Sequence, residues 1–309
     1  MIPKEYQKYE SKVSVACVNY TTIWGDKVAN LEKMKRMTRT AAKRGAEIVV
    51  FPELALSGYE CDAEGAGQHQ PCAMHEAAAE TVPGPSTEEM ASLARELDVY
   101  IIFGMPERDK KDPKIRYNAA AVISPEGILG TYQKLAFPPP PRYNEGICFT
   151  TGDEIPVWET RYGPIGVQIC LDMLFYPEFS RIQALKGARL IINSTAAPGG
   201  PGQGDFVMQQ VASRATENIV FTATANLTGK DRAGYFCGHS NIAGIGNQRL
   251  SHILAKAGEA EEIVSATLDF HLLHYWTENL KWRESLPLSL INKELKALEK
   301  NLAAKASSK

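Results

Sequence analysis

Residues Gly163 to Arg181, GPIGVQICLDMLFYPEFSR, constrain the fold most, because they change periodicity within one short stretch. Ile165, Val167 and Ile169 alternate with small or polar neighbours, the period-two pattern of a strand. Pro177 and Glu178 then suit the first turn of a helix, where proline's missing N–H is harmless and an acidic side chain faces the positive end of the dipole. A strand that feeds a helix belongs in a layered α/β arrangement. Cys170 stands at the junction. Backbone N–H groups and the helix dipole at such a place favour a thiolate. A small buried core residue is the plainer reading of a free cysteine. A nucleophile also needs a base and an oxyanion partner from elsewhere in the chain.

The same alternation runs through most of the 309 residues. Ser14–Tyr20 reads as a strand. A helix follows, with Val28, Leu31, Met34, Met37 and Ala41 as its apolar stripe, ended by Gly45. Glu47–Leu54 is a buried strand carrying Glu53 at its end. Residues 60–83 read as an irregular loop. Ser86 caps a helix to about Asp98, before a strand over Val99–Glu107. YNAAAVISPEGILGTYQK is a hairpin ending at Lys134, and Pro138–Pro141 stiffen the loop before Glu145. A second hairpin precedes Cys170. Beyond it come a helix from Pro177, the strand Ala188–Thr195, a helix over Asp205–Asn218, and strands in NIVFTATAN, GHSNIAGIG and EIVSATLDF. Two hairpins among helix-linked strands predict mixed sheets rather than purely parallel ones. Residues 1–281 read as one domain and 282–309 as an amphipathic arm with a polar tail.

Charge and cysteine usage remove several function classes. A net charge of −2 gives no electrostatic case for nucleic acid or an anionic membrane. No apolar run reaches the roughly 20 residues of a membrane span, and MIPKEYQKYESK has no signal-peptide core, so a cytoplasmic location is expected. The six cysteines include no C-x-x-C pair, which fits a reducing compartment. Cys61, His69, Cys72 and His75 crowd one segment, but their spacing matches no common zinc module, so a polar loop and no metal are expected. AAPGGPGQGD is glycine-rich yet lacks G-x-x-x-x-G-K-[ST], so no nucleotide site is expected either.

Glu53, Lys134 and Cys170 each follow a hydrophobic run and precede a loop. Ligands of α/β proteins collect outside the carboxyl ends of strands. Singly, Glu53 could cap a helix and Lys134 could be a surface lysine. Together they form a chemical set. The thiol needs a proton acceptor, a buried carboxylate has its pKa raised toward that task, and a lysine can face an oxyanion.

Three segments carrying these residues, VVFPELALSGY, YQKLAFPPPPRYNEG and GVQICLDMLFYPEFSR, resemble the signature blocks of the nitrilase superfamily, the carbon–nitrogen hydrolases. RATENIVFTATAN, GHSNIAG and GEAEEIVSATLD resemble its later blocks, so the likeness covers roughly residues 12–275. The resemblance implies a four-layer α-β-β-α sandwich of two mixed sheets, a Glu53–Lys134–Cys170 triad, and a second glutamate at Glu145, eleven residues after the lysine. It implies an oxyanion site at Lys134 and the Leu171 N–H, with Tyr59, Asp172 and Asn193 as further substrate-side candidates. No cofactor and no metal are implied. The expected activity is amidase: hydrolysis of a small amide through a cysteine thioester. N-carbamoyl compounds are the nearest alternative, then nitriles or acyl transfer, and a non-catalytic scaffold is the rival of another class. Members acting on N-carbamoyl-D-amino acids resemble C-N-D-R-R here. Met173 and Leu174 replace those arginines, which argues against a clamped carboxylate. Nitrile-cleaving members tend to have C-W-E, and Asp172 in place of that Glu leans toward amides. One extra residue before Pro177, against C-x-D-x-x-F-P-E, implies a differently shaped turn. The family's habits imply a homodimer or higher even oligomer, with the arm packed across a neighbouring subunit.

Overall fold

A computed structural model describes residues 4–59, 72–138, 145–232, 234–246 and 249–306. Cys61, His69, Pro139–Pro141, Arg142, Tyr143 and Asn144 lie outside them. In chain order the elements are β1 (Lys12–Asn19), α1 (Lys27–Lys43), β2 (Ile48–Val50), α2 (Ala73–Ala78), α3 (Pro85–Leu97), β3 (Tyr100–Arg108), β4 (Arg116–Ser124), β5 (Gly127–Gln133) and α4 (Glu145–Cys148). Then come β6 (Val157–Trp158), β7 (Ile165–Ile169), α5 (Leu171–Phe175), α6 (Pro177–Leu185), β8 (Leu190–Thr195), α7 (Gln203–Asn218) and β9 (Phe221–Asn226). The chain continues through β10 (Thr228–Lys230), β11 (Tyr235–Cys237), β12 (Asn241–Gly246), β13 (Arg249–Lys256), β14 (Glu262–Asp269), α8 (His271–Leu280), α9 (Trp282–Ser285) and α10 (Leu288–Ala306).

Two six-stranded sheets form, in the orders β14-β1-β2-β3-β4-β5 and β13-β12-β9-β8-β7-β6. In each, three central strands run parallel, β1-β2-β3 and β7-β8-β9, and the flanking strands are antiparallel. Helical crossovers supply the parallel pairs, hairpins join β3-β4-β5, β6-β7 and β12-β13, and the remaining antiparallel pairs, β1 with β14 and β9 with β12, are made by strands that do not follow one another in the chain. Strands β2, β7 and β8 are buried along their whole length, as strands covered on both faces must be. Val13, Val15, Ile48, Val50 and Ile102 of the first sheet share one core with Ile165, Val167, Leu190, Ile192 and Phe221 of the second. A second core packs Leu31, Met34, Met90 and Leu93 of α1 and α3 on Val49, Ile101 and Phe103. A third packs Ala184, Val207 and Val211 of α6 and α7 on Ile191 and Ala243. Helix, sheet, sheet, helix is the four-layer order expected.

Several boundaries differ from the sequence reading. Strand β2 ends at Val50, so Glu53 lies in a following turn. Val28 of α1 is 71% exposed, and the buried stripe runs instead through Leu31, Met34, Thr38 and Ala41. Residues 73–78 are helical. Helix α3 starts at Pro85 with Gly84 at its cap, while Ser86 donates from N and Oγ to the Glu80 carboxylate at 2.8 and 2.9 Å. The β10–β11 ribbon, β13, α5 and α8 carry patterns too short or too mixed to separate from loop. No helix among the described residues is long and apolar enough to cross a membrane.

Candidate active site

The turn bearing Glu53 lies flat against β3. Gly104 N donates to Pro52 O at 3.0 Å and Leu56 N donates to Gly104 O at 3.1 Å. A Cβ on Gly104 would meet Leu54 N at 2.3 Å and Pro52 O at 2.4 Å, so only glycine admits this approach. Leu54 itself takes a left-handed φ of 48°. The turn aims a fully buried carboxylate at the end of β5, where Lys134 is also buried.

Lys134 Nζ donates to Glu53 Oε1 at 2.7 Å and to Glu145 Oε1 and Oε2 at 2.8 and 2.7 Å. Its backbone N donates to Asn118 O at 2.9 Å. Asn118, near the start of β4, donates from Nδ2 to both carboxylates, at 2.8 Å to Glu53 Oε1 and 3.1 Å to Glu145 Oε2. Tyr59 donates its hydroxyl to Glu145 Oε1 at 2.6 Å. Both oxygens of Glu145 are thus engaged, whereas the buried Glu53 Oε2 has no partner among the described residues.

Cys170 caps α5 with φ 47° and ψ −104°, a strained backbone for a residue with a side chain. Its N donates to Ser194 O at 3.0 Å, and Ser194 Oγ donates to Phe51 O at 2.9 Å, two residues before Glu53. One residue of β8 therefore ties the nucleophile turn to the Glu53 turn. Leu171 opens α5, so its N–H has no intrahelical acceptor.

The electrostatics reverse one expectation. Burial, and then the Glu53 charge, push the Cys170 thiol up to about 12, with Lys134 opposing. The resting group is a thiol, not the thiolate that the strand-to-helix junction suggested. Burial also raises Glu53, aided by the Glu145 charge and opposed by Lys134. Burial alone would discharge Lys134, but Glu145 and Glu53 outweigh it and hold the ammonium above the ordinary lysine range.

A cavity of about 310 Å³ opens over this cluster. Lys134, Glu145, Cys170, Leu171 and Tyr59 form its reactive end, and Leu174, Phe175, Ala196, Ala197, Pro198 and Phe206 form apolar walls, with Gln203 beside them. Phe175 and Phe206 meet with ring centroids 5.4 Å apart. The extra residue before Pro177 falls between α5 and α6, where Tyr176 separates them.

Asp172 and Asn193 do not line this cavity. Asp172 Oδ2 accepts from Tyr132 Oη at 2.9 Å and Leu135 N at 3.2 Å, and Oδ1 accepts from Ala136 N at 2.9 Å. It steadies the chain just after Lys134, and burial pushes it up to about 7. Asn193 is buried within β8, level with Gln168 and Thr224. Asn118 was the residue the sequence reading missed; a lone amide inside YNAAAVIS was its only signal. No group of three His, Cys, Asp or Glu among the described residues is placed to hold a metal. Cys72 instead donates its N to Cys148 Sγ at 3.3 Å, and His75 lies 3.2 Å from Gly58 O.

A sequence model of the carbon-nitrogen hydrolase family matches residues 14–278. A probable nitrilase of Schizosaccharomyces pombe is 34% identical over 267 residues, covering 84% of this chain and 89% of that protein. The human omega-amidase NIT2 is 32% identical over 254 residues, covering 79% and 84%. Among solved structures, Saccharomyces cerevisiae Nit3, of branch 10 of the nitrilase superfamily, superposes with a TM-score of 0.74 at 25% identity, covering 89% of this chain and 96% of that one. An amidase from Nesterenkonia sp. AN1, with an acetamide moiety on its active-site cysteine, shares the fold at a TM-score of 0.72 and 21% identity, covering 95% and 98%.

Proposed function

The chain belongs to the carbon–nitrogen hydrolase family, and from that premise we propose that it hydrolyses a small uncharged amide through a thioester on Cys170. The observation that carries this is the convergence of Glu53, Lys134, Glu145 and Cys170 with one oxygen of Glu53 left over to take a proton.

The thiol sulfur attacks the amide carbon as its proton passes to Glu53. A thiol raised to about 12 is a poor spontaneous acid, so a base is needed, and the upward shift of Glu53 brings the two groups closer in proton affinity. Charge builds on the carbonyl oxygen, where the Lys134 ammonium and the Leu171 N–H are the available donors. Glu53 returns the proton to nitrogen, ammonia leaves, and an acyl thioester remains. Water then attacks the acyl carbon, giving its proton to Glu53. The carboxylic acid departs and the thiol is restored. These proton and acyl transfers need no cofactor.

The walls favour an uncharged acyl group. A cavity of about 310 Å³ is at the small end for ligand sites. Lys134 is the only cation among its described lining residues, and two carboxylates already hold it. Leu174 lines the cavity where an arginine would clamp a substrate carboxylate. The test is ammonia release across short aliphatic amides, aromatic amides, amides with a distal carboxylate, carbamoyl amines and nitriles, with intact-mass detection of the acyl-enzyme. Short neutral amides are expected to turn over fastest. Turnover confined to nitriles, carbamoyl amines or carboxylated amides would overturn the reading.

A further inference from the structure

The C-terminal helix leaves the body of the molecule. Every residue of α10 from 288 to 301 is exposed, Leu288, Leu290, Ile291, Leu295 and Leu298 included. Its root is fixed: the Arg181 guanidinium of α6 lies 4.4 Å from the centre of the Trp282 ring in α9, and Arg283 donates to Tyr6 Oη at 3.4 Å. Leu288, Ile291, Leu295 and Leu298 recur at spacings of three and four, the a and d positions of a heptad, and the sequence repeat continues to Leu302. Lys293, Lys296 and Lys300 fall at f, b and f, away from that seam. The seam lies beyond residues 14–278, which the family match covers. Most helical stability in proteins comes from packing an amphipathic face rather than from propensity, and an a/d seam is the surface that another helix covers.

We propose that α10 pairs with α10 of a second copy of this chain, antiparallel, as a short two-stranded coiled coil rooted beside α6. The charge pattern selects this occupant and this direction. Asn292 and Glu299 are the e positions, and Glu294 and Asn301 the g positions. A parallel pair sets g against the following e, so Glu294 would face Glu299 of the partner subunit twice, like against like. An antiparallel pair sets e against e and g against g. Asn292 then faces Glu299 of the partner subunit, and Glu294 faces Asn301 of the partner subunit, amide against carboxylate on both flanks. The arrangement is a closed twofold, with one patch covering itself. The inference rests on the arm alone and is independent of the amidase reading.

Sedimentation velocity of the full chain at micromolar concentration tests the pairing, and disulfide trapping tests its direction. The expected species is an even multiple of 34.0 kDa. Leu295→Glu combined with Leu298→Glu should halve it, with a loss of far-UV helical signal and an unchanged thermal midpoint. Chains bearing Asn292→Cys mixed with chains bearing Glu299→Cys should form a disulfide-linked pair, and neither should do so alone. A 34.0 kDa species from the unaltered chain would overturn the proposal. So would an assembly that survives the double substitution, or self-linking of a Leu288→Cys variant, which only a parallel pair brings together.

Discussion

Glu53→Gln should move two readouts of the same cysteine in opposite directions. Glutamine keeps an oxygen for Asn118 and Lys134, but the free Oε2 becomes an amide nitrogen that cannot accept a proton. Loss of a general base costs about 10²- to 10⁴-fold in kcat, or roughly 2.7 to 5.4 kcal/mol of barrier at 1.36 kcal/mol per decade. Alkylation responds to a different quantity, the thiolate fraction. With the thiol at about 12, that fraction is roughly 10⁻⁴ at pH 8. The Glu53 charge is the second cause of the upward shift, after burial, and the substitution removes it while Lys134 stays. A neighbouring charge moves a pKa by about 1–3 units. Thiolate nucleophilicity falls with pKa at a slope of about 0.4–0.5, so the net gain in alkylation rate at pH 8 is roughly 3- to 50-fold. The assay is the iodoacetamide rate from pH 7 to 10, read at the Cys170 peptide by mass spectrometry. Cys17, Cys72, Cys148 and Cys237 are buried and act as internal controls. If alkylation of the variant slows in step with turnover, Glu53 assists both reactions as a base and the charge argument fails.

Cys170→Ala should abolish ammonia release and leave the thermal midpoint near that of the parent; activity above a few percent would remove Cys170 from the role. Cys170→Ser should be nearly as inactive, because a hydroxyl is a weaker acid than the thiol it replaces. Lys134→Ala should lower kcat by about 10²- to 10³-fold and also destabilise the fold by about 3–5 kcal/mol, since it strands two buried carboxylates. Near-normal kcat would show that backbone donors suffice for the oxyanion. The profile of kcat/KM against pH should carry an acid limb above the ordinary 4.5 of a glutamate, because activity needs ionised Glu53 and falling pH protonates it at its raised pKa. Lys134 lies above the ordinary lysine range, so it should add no alkaline decline up to pH 10; a decline there would contradict its assignment.

The sequence carried the layers because its central strands are apolar on both faces and its helices have apolar stripes, both long enough to show a period. It missed α5 because five residues cannot show one, and β13, RLSHILAK, because polar and apolar residues mix there. Glu53, Lys134 and Cys170 were visible as polar residues after hydrophobic runs, and Glu145 only through the resemblance, eleven residues after the lysine; the structure brings the two glutamates onto one ammonium. The direction of the Cys170 shift was not visible. Position at a strand-to-helix junction speaks for a thiolate, whereas burial and a facing carboxylate act the other way and depend on a residue 117 positions upstream. Asp172, next but one to the nucleophile, read as a substrate contact. About half a helical turn on from Cys170, its side chain meets Tyr132 of β5 and secures Leu135 and Ala136 instead.

Glu145 separates positioning from proton transfer, and the hydrogen bonds around it decide what its variants should do. All of its partners donate: Tyr59 Oη, Lys134 Nζ to both oxygens, and Asn118 Nδ2. A carboxylate so engaged cannot take a proton without breaking a bond, which suits a fixed support for Lys134. Glutamine would set an amide nitrogen against one of those donors. It fits at the Oε1 place, where the Tyr59 hydroxyl can turn to accept and Lys134 keeps its bonds to Glu53 and to the remaining oxygen. Glu145→Gln should therefore keep measurable turnover, down about 10- to 100-fold for a lost charge-assisted bond of roughly 1.5–3 kcal/mol. Glu145→Ala should be lower still, since it also leaves Tyr59 and Asn118 short of an acceptor. The Gln variant carries a second signature. The Glu145 charge helps raise Glu53, so its removal should shift the acid limb of kcat/KM to lower pH, a change that mere loosening of the loop would not produce. Equal inactivity of both variants, with acyl thioester accumulating on Cys170, would make Glu145 a base for the water step and refute its role as a support.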